Sequence, residues 1–204
     1  CRGGIACYTC GPTVYAPAHL GHARTYVWLD IFRRCLEHHH HATYQSPPLF
    51  VMNVTDVDDK ILKAAAVDRN HQSPMELARH YETEFWNDLK ALNCLRPHVV
   101  TRVTDYVESA IVPYIERLIE QEMAYQLDSE DDAAAGVYFD VKGFEDRMGD
   151  ATIYGKLAPN ATQQQVSDES TTNKRDQRDF ALWKRRKSGE AMFWTSPWGE
   201  GRPG

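Results

Sequence analysis

The spacing of apolar side chains along this chain changes several times, and each change marks an element. Ile5–Tyr8 is a short, mostly apolar run closed by Gly11-Pro12, which predicts a strand entering a turn. From Gly21 the pattern becomes helical: Tyr26, Leu29, Ile31, Phe32 and Leu36 recur at steps of no more than four residues, as a buried stripe running to about Glu37. Leu49-Phe50-Val51-Met52-Asn53-Val54 is a continuous apolar run, the pattern of a parallel strand covered on both faces. Strand, helix and strand in this order predict that the chain opens with a βαβ unit.

Ser73-Pro74-Met75-Glu76 then reads as a helix start. Ser73 stands at the N-cap, Pro74 at the first helical position and Glu76 in capping-box register. Ala78, Tyr81, Phe85, Leu89 and Leu92 line one face of this helix to about residue 92. After Val99-Val100, Asp105 and Glu108 are placed to cap a further helix with the stripe Val107, Ile111, Ile115, Leu118 and Ile119, which Pro113 is expected to kink. Beyond Gln121 the texture shifts. An acidic stretch from Asp128 to Asp132 precedes Val137-Tyr138-Phe139-Asp140, which reads as a strand. Residues 158–179 hold almost no large apolar side chain and are expected to be mobile. Apolar patterning resumes at Phe180-Ala181-Leu182-Trp183, and the chain closes on the turn-rich Ser196 to Gly204. No repeat is visible.

Composition narrows the class. A length of 204 residues suits one sizeable core, or one domain with an insertion, and 42% hydrophobic with 25% charged residues is ordinary for a globular protein. The apolar runs are too short to span a bilayer and the N-terminus has no signal-peptide core. Position 1 is Cys rather than Met, so the chain is expected to begin inside a longer reading frame. Five cysteines make no disulfide framework, and the odd count points to reduced thiols in a cytoplasmic setting. The net charge of −6 is uneven: residues 1–173 carry 15 Lys/Arg against 25 Asp/Glu, and residues 174–204 carry 8 against 4. Lys174, Arg175, Arg178 and Lys184-Arg185-Arg186-Lys187 therefore read either as a phosphate-contacting surface or as a solvated flank.

Chemistry concentrates in three stretches. His19-Leu20-Gly21-His22 puts two imidazoles on one face of a helix start, where backbone N–H groups and the helix dipole favour anions. Gly21 leaves room there for a nucleotide, and each His is a donor for a phosphoryl oxygen in an in-line displacement. Cys7-Tyr8-Thr9-Cys10 is a C-x-x-C, open to a redox pair or half a zinc knuckle. With Cys35 and Cys94 isolated, Cys10 reads as the functional thiolate and Cys7 as a strand residue. Asn53-Val54-Thr55-Asp56-Val57-Asp58-Asp59-Lys60 closes the second strand and puts Thr55 where ligands bind in open parallel sheets. Its aspartates read as helix caps and partners of Lys60 before they read as Mg²⁺ ligands. The run His38 to His41 reads as a solvated helix terminus.

Taken in order, Cys10-Gly11-Pro12-Thr13-Val14-Tyr15, His19-Leu20-Gly21-His22-Ala23-Arg24, Asn53 to Lys60, Asp179-Phe180-Ala181-Leu182-Trp183-Lys184 and Ser196-Pro197-Trp198-Gly199 to Gly204 closely resemble the cysteinyl-tRNA synthetases, a class I family. The resemblance runs from end to end. It implies an α/β fold: the first half of a Rossmann-type parallel-sheet catalytic domain over 1–121, an α+β connective-polypeptide insertion over 122–194, and the start of a return to the catalytic domain at 195–204. It implies ATP-dependent activation of L-cysteine, with Mg²⁺, and transfer to tRNA(Cys). By the same resemblance Cys10 matches a zinc ligand, Gly11, Thr13 and Thr55 match cysteine-binding positions, and His19, Gly21 and His22 match the ATP-binding motif, with His19 and His22 catalytic. The family's remaining zinc ligands and its lysine-rich signature fall beyond Gly204. The 204 residues alone are accordingly expected to hold no stoichiometric zinc and to catalyse no cysteine-dependent pyrophosphate exchange. Two other readings stand beside this one, the cysteine ligase of mycothiol synthesis and a non-catalytic zinc- or thiol-binding module. The sequence leaves the oligomeric state open.

Overall fold

The computed structural model describes residues 5–40, 47–68, 70, 73–128, 135–149, 154 and 174–204. The chain divides into two compact units, Cys1–Tyr106 and Val107–Gly204.

The first unit is a βαβαβ arrangement. Strand β1 (Ala6–Thr9) leads through helix α1 (Leu20–His40) to β2 (Leu49–Val54), and helices α2 (Asp59–Val67) and α3 (Pro74–Ala91) lead on to β3 (Val99–Arg102). The three strands are parallel in the order β1-β2-β3, with Cys7 beside Phe50 and Met52 beside Val100. This is a Rossmann-like α/β fold, as the resemblance implies. Two successive crossovers that step in one direction and keep the usual right hand place their helices on one face of the sheet. The burial pattern agrees. Phe50, Met52 and Val54 of β2 are buried with Tyr26, Ile61, Leu77, Ala78, Phe85 and Leu89 from the helices, whereas Leu49 on the opposite face is 44% exposed. The expectation that β2 is covered on both faces is therefore corrected: among the described residues of this unit, only one face is packed.

Local signals explain the helix ends. Asp58 caps α2 by accepting from the Lys60 N–H (2.7 Å), and Ser73 caps α3 by accepting from the Glu76 N–H (3.2 Å) with Pro74 behind it. Helix α3 closes at Asn93, which takes a left-handed conformation (φ 59°) while Cys94 N–H donates back to the Leu89 carbonyl. Glu82, buried on α3, accepts from the Trp86 indole (2.9 Å) and from two nitrogens of Arg102 (2.8 and 2.7 Å), tying α3 to the end of β3. Burial pushes the Glu82 carboxyl up, but these hydrogen bonds and the Arg102 charge prevail and hold it below the usual carboxylate range.

The second unit is built on an antiparallel sheet in the order β4 (Ala124–Leu127), β5 (Gly136–Phe139), β6 (Phe180–Arg185), β7 (Gly201–Pro203), with helices α4 (Val112–Glu120) and α5 (Val141–Met148). Val107, Ile115, Leu118, Val137, Phe139, Val141 and a fully buried Trp183 make its core. The helix expected from about Asp105 divides into a short tight turn at Thr104–Tyr106, a wide helical segment at Val107–Ile111 and then α4. The cause is Pro113, which has no N–H to donate and is accommodated only in the first turn of a helix.

The second unit begins at Val107, where Val107, Ile115 and Leu118 bury themselves in the cluster around Trp183. Residues 201–203 pair with β6 as an edge strand. Of the stretch expected to be mobile, 158–173 lie outside the described residues. Residues 174–179 form a turn fixed by Asp179, whose carboxylate accepts from the Tyr125 hydroxyl (2.8 Å) and the Val141 N–H (3.0 Å). The acidic residues 129–132 also lie outside.

Two outcomes test this account. Ser73→Ala removes the α3 cap and should cost about 1 kcal/mol of stability in chemical denaturation; an unchanged midpoint would contradict it. Glu82 has a lowered folded-state pKa, so its stabilising contribution is present above the ordinary Glu value of about 4.3 and is lost as pH falls through the depressed one. Glu82→Gln should thus lower stability at pH 7 and flatten the acid limb of a stability–pH profile. Parallel profiles for the two proteins would show that the network does not behave this way.

Candidate active site

The carboxyl ends of β1 and β2 are joined by backbone pairing beyond the strands themselves. After Thr9 the chain runs Cys10-Gly11-Pro12-Thr13, and Thr13 pairs with Thr55 in a parallel bridge. The Thr55 N–H donates to the Pro12 carbonyl (3.0 Å), and the Val14 N–H donates to the Thr55 carbonyl (3.2 Å). Gly11 is required by the closeness of this join. A Cβ at Gly11 would lie 1.7 Å from the Asn53 carbonyl oxygen, which no side chain tolerates. The Gly11 N–H in turn donates to Asn53 Oδ1 (2.9 Å), and Asn53 Nδ2 donates to Thr55 Oγ1 (3.4 Å). Gly11, Thr13 and Thr55, the three positions expected to face the amino acid, are thus brought into one small structure.

Cys10 sits on this loop with an exposed side chain, and its carbonyl accepts from the Tyr26 hydroxyl (3.3 Å). Tyr26 belongs to α1 and is buried against Phe85. Burial, with a smaller effect of the Cys10 charge, pushes its hydroxyl up to about 12, so it remains a donor at every ordinary pH. The same ring lies along His22 (6.5 Å between centroids), which links the cysteine loop to the histidine motif.

His19 and His22 stand at the start of α1 with their rings stacked, centroids 4.0 Å apart. Each turns Nδ1 toward the backbone: the Gly21 N–H donates to His19 Nδ1 (3.0 Å), and the His19 N–H donates to His22 Nδ1 (3.3 Å). An imidazole nitrogen that accepts cannot carry a proton, so both neutral rings hold theirs on Nε2. Burial and then the neighbouring His19 lower the pKa of His22, which favours that neutral form. The helix start is therefore not simply a set of open amides, as expected from the sequence. The Gly21 N–H is already occupied by His19, and the space beside Gly21 is filled by the His19 ring, 2.8 Å from where a Cβ would stand.

Other expectations resolve differently. Lys60 Nζ lies over the Tyr15 ring (5.6 Å), and Asp56, buried, accepts from both the N–H (3.0 Å) and the hydroxyl (2.5 Å) of Thr104, securing the end of β3. His38 and His39 lie in the last turn of α1, and His41 is outside the described residues. Cys7, Cys10, Cys35 and Cys94 are free thiols. Among the described residues no three His, Cys, Asp or Glu side chains stand together as metal ligands. A tetrahedral zinc site needs four, so these residues do not make one by themselves. Two cavities of the unit lie beside the site rather than in it. One, about 280 Å³, is lined by Cys7, Tyr26, Phe50, Leu89 and Cys94, and the other, about 580 Å³, by Asp56, Arg79, Glu82, Trp86 and Arg96. Neither includes Cys10, Thr13, Thr55, His19 or His22. In the second unit the basic side chains are largely spent: Arg175 pairs with Asp140, Arg178 with Asp176 and Glu145, Arg185 with Asp128 and Arg186 with Glu200.

Asn53 and Tyr26 are the members of the site that sequence reasoning missed. Tyr26 read only as part of a buried stripe. Asn53 did leave a signal, a lone amide inside an otherwise apolar strand.

Comparison with known proteins identifies the family. The family model described as the catalytic domain of class I (C) tRNA synthetases matches residues 2–204. The chain is 42% identical over 207 residues to the cytoplasmic cysteine–tRNA ligase of Dictyostelium discoideum, covering 97% of the chain and 29% of that protein. It is 42% identical over 206 residues to the cysteine–tRNA ligase of Thermococcus gammatolerans and 41% to that of Pyrococcus furiosus, covering all of the chain and 39% of each. The chain therefore spans roughly a third of the length of these curated relatives. No described helix is long and apolar enough to cross a membrane. With the match extending over all but its first residue, the chain belongs to the class I cysteinyl-tRNA synthetase catalytic-domain family.

Proposed function

We propose that this chain supplies the nucleotide- and amino-acid-facing part of an enzyme that activates L-cysteine with ATP and transfers it to tRNA(Cys) in the cytoplasm. The observation that carries this reading is the pair of imidazoles whose Nδ1 atoms are held by backbone amides. Such a pair presents two Nε2–H donors, and Tyr26 links it to the loop that carries Cys10 and Gly11. In the reaction a carboxylate oxygen of cysteine attacks the α-phosphorus of ATP, the bond to the β-phosphate bridging oxygen breaks, and pyrophosphate leaves with the electron pair. Charge grows on the phosphoryl oxygens as this happens. Two fixed donors stabilise it without reorganising, which is where an enzyme gains most.

On this reading Gly11, Thr13 and Thr55 face the amino acid, and His19, Gly21 and His22 face the nucleotide, whose phosphates Mg²⁺ accompanies. Cys10 is proposed as one thiolate ligand of a zinc ion whose other ligands the described residues do not supply. A soft metal next to the amino-acid site suits the substrate. Cysteine and serine differ by one atom, and coordination of sulfur discriminates better than shape does.

Two measurements test this, both in a protein carrying this chain together with the remaining length that the relatives have. His19→Ala or His22→Ala should lower cysteine-dependent ATP–pyrophosphate exchange by about 10²–10³ while leaving cysteine affinity nearly unchanged. Exchange at the normal rate in both variants would remove the histidines from the mechanism. Cys10→Ser should lose tightly bound zinc and Cys7→Ser should keep it, as read by metal content of the purified proteins. Equal loss from both would favour a C-x-x-C metal site instead.

A further inference from the structure

We infer that Asn53 is a positioning residue that sets the hydrogen-bond polarity of the amino-acid site. The inference rests on the proposed role of Thr55 in facing cysteine. The Gly11 N–H can only donate, so the Asn53 atom 2.9 Å from it must be the carbonyl oxygen. That fixes the carboxamide and turns its NH₂ toward Thr55 Oγ1, 3.4 Å away. The backbone of Thr55 is already committed, its N–H to Pro12 and its carbonyl to Val14. The Thr55 hydroxyl is what remains for a ligand. Since one lone pair of its oxygen accepts from Asn53, its own proton is free to point outward, and the site offers the amino acid a donor there. One side chain thereby does two things: it anchors the turn that carries Cys10 and Gly11, and it orients the hydroxyl beside them.

Two substitutions separate these roles. Asn53→Asp keeps an oxygen for the Gly11 N–H but replaces the NH₂ by a second acceptor, so the Thr55 hydroxyl turns inward to donate to it. Asn53→Leu keeps the size and loses both bonds. In the same full-length protein, both variants should raise KM for cysteine about tenfold in pyrophosphate exchange, with KM for ATP unchanged. Hydrogen exchange in the peptide containing Gly11 should stay slow in Asn53→Asp and become fast in Asn53→Leu. A purely structural Asn53 would spare Asn53→Asp in both readouts, so a normal cysteine KM with a protected Gly11 amide in that variant overturns the inference. A parent protein without cysteine-dependent exchange would overturn the proposed function itself, and the inference with it.

Discussion

The close approach of Gly11 to the backbone of Asn53 is the constraint on which the site depends. In register β2 runs two residues past the end of β1, where Thr9 pairs with Met52, and beyond them the chain would ordinarily diverge into separate loops. Instead the missing side chain at Gly11 lets the first loop lie directly on the second, where Thr13 and Thr55 continue the pairing. Three consequences follow from this one contact. Cys10 is held at the rim, Thr55 is locked through its backbone, and the chain leaves Val14 buried with a fixed direction toward the start of α1. The geometry of this loop is thereby built from main-chain bonds, which leave less conformational freedom than long, rotamer-rich side chains do.

The histidines reach the same end by a different route. A helix start offers amides that must find acceptors, and here the imidazoles are the acceptors. Capping and the placing of the imidazole protons are the same hydrogen bonds, because an Nδ1 that receives a backbone N–H leaves the proton on Nε2. Burial and then the neighbouring His19 lower the pKa of His22, which keeps its Nδ1 available to the His19 amide. Tyr26 completes the connection. Its ring supports His22 while its hydroxyl holds the Cys10 carbonyl, so the Cys10 loop and the histidine pair share a buried strut.

Much of this was legible in the order of residues, for identifiable reasons. A continuous apolar run, a Ser-Pro-x-Glu start and a glycine-proline turn are local signals, and β2, α3 and the Cys10 loop formed where those signals lay. The cysteine, threonine and histidine positions were legible through a resemblance spread over the whole chain. What was not legible depends on contacts between distant segments. Nothing local to Val107–Leu118 says that it packs on Trp183, nor does the turn-rich end announce that Gly201–Pro203 pairs with β6. One-sided coverage of β2 likewise follows from the direction of two crossovers, which a strand's own composition does not encode. Asn53 was hidden because its function lies in the partners of its two amide atoms.

The charge distribution carries the same lesson in electrostatic terms. The last 31 residues are net positive by count, which invites a phosphate-binding surface. A count, however, does not measure the field, because a guanidinium bonded to a carboxylate contributes little beyond a Debye length of about 8 Å. Arg175, Arg178, Arg185 and Arg186 are each committed to an acidic neighbour from the same unit, several from outside the basic segment itself. In the first unit the relation is reversed. The peptide N–H groups of Gly11, Val14, Thr55 and Gly21 are committed within the candidate site, which leaves the Nε2–H groups of His19 and His22 as its oriented donors. Fixed dipoles of this kind stay effective where mobile charges would be screened. On the proposed function, a developing negative charge is better met by the rigid arrangement at the ends of β1 and β2 than by the paired charges on β6.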